Sequence, residues 1–344
     1  MYNYYFKQFV EDRNLRKSTV DGYRISLNLY SEFHELSLDD LVKEALFDEE
    51  HYFNHSRRRI KKRLLDFRSF LVKKQMSQNT IKTYFSKVKT FYKHFDIEIP
   101  VLPNLKYDAS YQLNYYDLPT KEDLALVLNK VTLDFKALIL FMSSSGTSKA
   151  ETLSLTVGDF IKGCSEYYMG SNLESIINEL KNRDDIVPTI YLKRIKTDKY
   201  YFTFCSGEAS YYIIKYLRSR DELSLDDKLF PFSSSFLTAK FQRINDDMNW
   251  GKKGYYRFFR SHVLRKFHAS NLGVPAEYVD ALQGRSKNVV HEAYIKTNPR
   301  KLKELYVKNM HNVMIFDGAG KKEVVEEINI TINIFLSDMH LTID

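Results

Sequence analysis

Thr189-Ile-Tyr-Leu-Lys-Arg-Ile-Lys-Thr-Asp-Lys-Tyr-Tyr-Phe-Thr-Phe204 carries the clearest strand signal in the central part of this chain. Thr189–Lys193 and Tyr200–Phe204 are rich in β-branched and aromatic residues and flank a turn at Thr197-Asp-Lys199, which predicts a hairpin. Around it the pattern is helical. The whole sequence spends only 12 Gly and 7 Pro on 344 residues, too few for the turns of an all-β sandwich or barrel. The reading is a mainly α chain with one small antiparallel sheet.

With 44% hydrophobic and 15% aromatic residues, the chain can bury sizeable cores, and its length suggests about two domains. Cys164 and Cys205 form no CxxC pair, which points to a reducing compartment rather than a disulfide scaffold. The N-terminus lacks a secretory pattern. Apolar runs such as Ala137 to Met142 are far shorter than the roughly 18 residues of a membrane span. A soluble cytoplasmic protein with no membrane partner is expected.

The formal charge is +8 with a pI near 9.0, which suggests an anionic partner. Its distribution says more. Tyr30 to Phe53 carries eight acids and one base, whereas Asn54 to Phe95 carries thirteen bases and one acid. In Ser77–Phe95, Ile81, Tyr84, Val88, Phe91 and Phe95 recur at spacings of three and four, placing Lys82, Lys89 and Lys93 on the opposite face. The preceding segment repeats the pattern with Ile60, Leu64, Phe67 and Leu71 inside and Arg57, Arg58, Lys61 and Lys62 among its cations. Two such helices suit a phosphate backbone; a merely solubilising face is the plainer alternative.

Helices are expected near Tyr5–Asp12, Ser18–His34, Leu38–Tyr52, Ser56–Lys74 and Ser77–Phe95, making residues 1–97 a helical domain. A linker follows at 98–117. The second domain, 118–314, opens with Thr120 as helix N-cap and Asp123 as its acidic partner. An acidic tail, 315–344, contains the β-type run Ile328–Phe335. His51 and His55 could form a metal pair beside Glu50, but a surface pair is the simpler reading. No phosphate loop, dinucleotide fingerprint or zinc spacing is present.

Three boxes in the second domain share an order. Ser145-Gly-Thr-Ser-Lys-Ala-Glu-Thr-Leu-Ser-Leu155 comes first, then Ser261-His-Val-Leu-Arg-Lys266, then Leu282-Gln-Gly-Arg-Ser286 with Tyr294 beyond it. Together they resemble the tyrosine recombinases (phage-type integrases). The resemblance covers residues from about 118 to 310. It implies a helical, SAM-like core-binding domain followed by an α+β catalytic domain, acting on duplex DNA and assembling as a dimer to tetramer on it. A site-specific recombinase working through a 3′-phosphotyrosyl intermediate follows, with no metal or nucleotide cofactor and a nucleoid-associated location. A catalytically impaired DNA-binding relative is the alternative, and an RNA-binding protein a weaker third.

By this resemblance Tyr294 is the nucleophile, with Tyr306 its competitor. Arg265 clamps the phosphate, beside His262 as hydrogen-bonding or acid–base partner. Lys196 on the hairpin protonates the leaving 5′-oxygen, with Lys193 and Lys199 as fallbacks, and Glu151 orients a cation. One position departs: where the family carries its first arginine, this chain has Ser148. Lys149 next door, or Arg285 in place of the family's histidine, are the candidates to supply the missing cation; loss of cleavage is the third explanation. The tail is expected to pack on a neighbouring protomer or to close its own domain.

Overall fold

The computed structural model describes residues 4–52, 54, 57–104, 114–285 and 298–316. It divides into two compact units, Met1–Tyr111 and Gln112–Asp344. Tyr294, His55, Ser286, the tail run Ile328–Phe335 and the middle of the expected linker lie outside the described residues.

Unit one is built from α1 (Tyr4–Asp12), α2 (Lys17–His34), α3 (Leu38–His51), α4 (Ile60–Lys73) and α5 (Gln78–His94). Their apolar stripes meet in one core that includes Phe9, Leu27, Tyr30, Val42, Leu64, Phe67, Leu71, Val88 and Phe91. Ser37 and Ser77 cap α3 and α5 by accepting from Asp40 N and Thr80 N, the role short hydroxyl side chains fill at N-termini.

The charges of this unit are arranged differently from the sequence reading. The acids of α3 and the arginines before and within α4 face each other. Asp48, buried, accepts from Arg59 N at 2.7 Å and from Arg59 Nη2 at 2.7 Å. Glu44 takes Arg63 Nη2 at 2.9 Å. Arg58, expected on an open basic face, donates instead to the Tyr52 carbonyl at 3.0 Å and lies within 3.2 Å of Glu49 and 3.4 Å of Glu98. Lys62 pairs with Asp66 at 2.6 Å. α4 starts at Ile60, directly after Arg59, whose backbone N–H is held by Asp48 of another helix. Arg57, Lys61, Lys82 and Lys93 remain exposed, and Lys89 is half-buried with its ammonium 5.1 Å from the Phe85 ring.

Unit two contains α6 (Lys121–Leu128), α7 (Leu133–Ser145), α8 (Lys149–Ser154), α9 (Val157–Gly163) and α10 (Leu173–Leu180), then β1 (Thr189–Lys193) and β2 (Tyr200–Phe204). After these come α11 (Gly207–Arg218), α12 (Ser234–Asp247), β3 (Lys252–Lys253), β4 (Tyr256–Arg257), α13 (Ser261–Asn271), α14 (Ala276–Leu282) and α15 (Pro299–Asn309). Thr120 and Asp123 form the capping box that opens α6. α7 is apolar on nearly every side, from Phe135 to Met142, and so it is the buried axis, with α11 and α13 packed on it. β1 and β2 pair antiparallel with Thr189 opposite Phe204 and Lys193 opposite Tyr200. A second, two-residue hairpin, β3–β4, was not legible in the sequence. Among the described residues no helix is long and apolar enough to cross a membrane.

Candidate active site

Two turns and one helix make the site. α7 ends at Gly146, whose φ of +66° is the left-handed conformation common just past a helix C-terminus. Two residues later Ser148 begins α8: its Oγ accepts from Glu151 N, while Ser148 N donates to Glu151 Oε2 at 2.8 Å. α14 ends in a similar way, at Gln283 and then Gly284 with φ +58°. α13 brings Arg265 between these turns.

Arg265 is 5% exposed. Its Nη1 donates to the Gly146 carbonyl at 2.7 Å and lies 3.4 Å from Glu151 Oε2, and its Nη2 donates to the Gln283 carbonyl at 2.5 Å. The guanidinium is therefore fixed in place by both turns and by the buried Glu151. Tyr201 of β2 completes the set: its hydroxyl donates to Glu151 Oε2 at 3.1 Å. Its ring covers Gly284, where a Cβ would come within 2.5 Å of Tyr201 Cδ1. Burial first, and then the nearby Glu151 charge, raise the Tyr201 phenol well above its ordinary value.

Behind Arg265 lies His268, completely buried. Gln283 Nε2 sits 2.9 Å from His268 Nδ1 and 3.0 Å from the Arg265 carbonyl; donating to both, it leaves Nδ1 as an acceptor. Desolvation, followed by Arg265 and Arg285, pushes His268 down to about 3. His262, one turn before Arg265, is exposed. Its imidazole is also held below the ordinary value, by partial desolvation and then by Lys266, Arg260, Arg265 and Arg285. It stays neutral at pH 7.

The positive charge is therefore concentrated. Arg265, Lys266 and Arg285 come together beside His262, with Arg260 at the N-terminus of α13 and Arg194 beyond β1. Against them stand the buried Glu151 and Asp280, whose Oδ1 is 3.8 Å from Arg285 Nη1. Arg194 Nη1 donates to the Gly284 carbonyl. A preorganised cluster of guanidinium donors of this kind suits an oxyanion.

Of the sequence candidates, the structure brings His262, Arg265, Arg285, Glu151 and Ser148 to this place. Lys149 is directed elsewhere: its ammonium donates to Thr238 Oγ1 at 2.8 Å and to the Ser234 carbonyl at 3.2 Å, both on α12. Lys196 is exposed on the loop between β1 and β2, as is Lys199. Lys193 pairs with Asp198 at 3.3 Å. Tyr306 is a core residue, fully buried with its hydroxyl donating to the Ser144 carbonyl at 2.9 Å. Sequence reading passed over Arg194, Arg260, Lys266, His268 and Gln283. Lys266 and His268 could have been found from their places four residues after His262 and three after Arg265 on the same helix.

No protein-family model matches this sequence, and no curated protein matches it. Solved structures do. A lambda integrase tetramer bound to a Holliday junction is similar with a TM-score of 0.55 and 10% identity, over 83% of this chain and 76% of that one. The Tn1549 transposon integrase, in complex with transposon right end DNA, gives 0.52 and 12%, over 89% and 98%. A lambda integrase dimer bound to a COC′ core site gives 0.50 and 11%, over 83% and 95%. The mainly helical fold, with two small antiparallel sheets among the described residues, is the integrase fold.

Proposed function

We propose that this chain is a site-specific DNA recombinase of the tyrosine class, cutting duplex DNA and rejoining it through a 3′-phosphotyrosyl intermediate. The observation that carries the reading is the buried, triply anchored Arg265 in a cluster of cations that exceeds its carboxylates. A phosphodiester under attack gathers negative charge on its non-bridging oxygens, and fixed guanidinium groups stabilise that charge without reorganising.

In the reaction, the Tyr294 phenol oxygen attacks phosphorus and the bond to the 5′-oxygen breaks. The phenol proton passes to neutral His262, and Lys196 delivers a proton to the 5′-oxygen. The bond energy is kept in the phosphotyrosyl link, so a second 5′-hydroxyl can reverse the step on another strand. Lys82, Lys89 and Lys93, which share one face of α5, with Arg57 and Lys61 before and on α4, hold the DNA backbone of unit one. The solved integrases of the same fold are a tetramer on a Holliday junction and a dimer on a core site; assembly of this chain as a dimer to tetramer on DNA follows from that likeness.

The test is covalent trapping. A binding site is first selected from a randomised duplex pool, then rebuilt with a nick beside each candidate phosphate. Wild type is expected to leave a denaturant-resistant protein–DNA adduct, and Arg265→Ala none. Specific binding with no adduct at any phosphate would overturn the catalytic reading. It would favour the alternative, a DNA-binding protein of this fold that does not cut. One observation supports that alternative: Ser148 serves as a helix cap and Lys149 is held on α12, so the α8 side of the site offers no cation.

A further inference from the structure

The placement of Arg194 is specific. Its main chain closes the loop between β1 and β2: Arg194 N donates to the Lys199 carbonyl at 2.7 Å, and its own carbonyl accepts from Asp198 N at 2.8 Å and Thr197 N at 3.2 Å. With the Cα so fixed, the side chain leaves the loop and reaches the end of α14, where Nη1 donates to the Gly284 carbonyl. The carbonyl one residue earlier, Gln283, accepts from Arg265 Nη2. Two guanidinium groups thus hang from consecutive carbonyls, and the next residue is Arg285.

Such an arrangement opposes like charges and is costly unless an anion joins them. Among the described residues no carboxylate pairs with Arg194, while Glu151 is committed to Arg265, Tyr201 and the α8 cap. Burial, with Arg285 and Arg194 nearby, already lowers the Arg265 guanidinium. Arg194 is only half-buried, and its described side-chain hydrogen bond uses Nη1 alone, so most of its five N–H donors are available to a ligand.

Building on the strand-transfer reading above, we propose that Arg194 is a phosphate-binding residue, supplying from the hairpin side the guanidinium that Ser148 cannot supply from α8. The hairpin then carries both a charge-stabilising group, Arg194, and the proton donor, Lys196, two residues apart. Closing the hairpin on Gly284 brings both to the phosphate together.

The measurement is the single-turnover rate of adduct formation with DNA saturated by protein. Arg194→Ala is expected to lower it about 10²–10³-fold, the usual cost of one preorganised donor, with Arg194→Lys recovering part of the rate. Placing Ser148→Arg in the Arg194→Ala background is expected to restore at least tenfold. A role limited to docking the hairpin is separated by a DNA whose scissile linkage is an uncharged methylphosphonate. There the ratio of wild-type to Arg194→Ala rate is expected to fall towards one; a docking role leaves it unchanged, and that result overturns the proposal. A wild-type adduct that Arg194→Ala forms equally fast overturns this inference alone. A wild type that forms no adduct overturns the strand-transfer reading and this inference with it.

Discussion

Glu151 Oε2 and Arg265 Nη1 lie 3.4 Å apart with both side chains nearly excluded from solvent, and the same oxygen accepts from Ser148 N and the Tyr201 hydroxyl. One carboxylate therefore joins a helix cap, an ion pair and a strand. The expected consequence is steep. Removing one partner of a buried pair leaves the other charge unpaired and costs about 3–5 kcal/mol. Glu151→Ala is expected to lose that much unfolding free energy in denaturant titration. Tyr201→Phe, which deletes one hydrogen bond to a charged acceptor, is expected to lose about 1.5–3 kcal/mol. A Glu151→Ala loss smaller than that of Tyr201→Phe would contradict the hub role.

His268 predicts acid sensitivity. Its folded value, about 3, lies below the ordinary 6.5, so between these pH values the unfolded chain binds the extra proton. Stability therefore rises with pH across that window and is lost as pH falls from near 6.5 towards 3. Unfolding midpoints measured from pH 7.5 to 4 are expected to drop for wild type and to drop less for His268→Gln. Equal pH slopes would show that the buried imidazole is not responsible.

Gly284→Ala combines two penalties. The residue sits at φ +58°, and its new Cβ would enter the Tyr201 ring. Left-handed backbone at a non-glycine residue costs about 1–2 kcal/mol, before the ring is displaced. Thermal unfolding is expected to shift down, and Tyr201→Leu is expected to cost less in the Gly284→Ala chain than in wild type, because the two residues are in contact. Gly284→Ala as stable as wild type would contradict tight packing of Tyr201 on Gly284.

In unit one the cations divide into two classes with different expected readouts. Replacing Lys82, Lys89 and Lys93 by Ala is expected to weaken duplex binding and to reduce the dependence of log affinity on log salt by about 3, roughly one per lost phosphate contact. Arg58→Ala is expected to leave that slope nearly unchanged and to lower stability, because its guanidinium is engaged by Tyr52, Glu49 and Glu98. A slope change for Arg58 as large as one lysine's would reverse this assignment.

Much of the fold was legible because its signals are local. The β1–β2 strands fall on Thr189–Lys193 and Tyr200–Phe204 as their alternation and turn residues predict, and Thr120 with Asp123 announced α6 within four residues. The charge pattern was less so. The acids of 30–53 and the bases of 54–95 looked like two opposed blocks, yet Asp48 with Arg59 and Glu44 with Arg63 are partners across α3 and α4. Sequence separates charges that folding brings together. The same holds in the site. The box around Arg265 was visible, but Gln283 bonding both Arg265 O and His268, and Arg194 reaching Gly284, depend on segments up to 90 residues apart. Ser148 looked like a loss; in the structure it is a helix cap, a role its spacing to Glu151 already encoded.

The proposed strand transfer requires that a tyrosine of this chain take hold of a DNA strand. The most direct measurement is to digest the trapped adduct with protease and nuclease and to identify by mass spectrometry the peptide that carries the nucleotide remnant. A 3′-phosphate linked to the phenol oxygen of Tyr294 is expected, with no linked peptide from Tyr294→Phe. A remnant on another residue, or an adduct that survives in Tyr294→Phe, would contradict it.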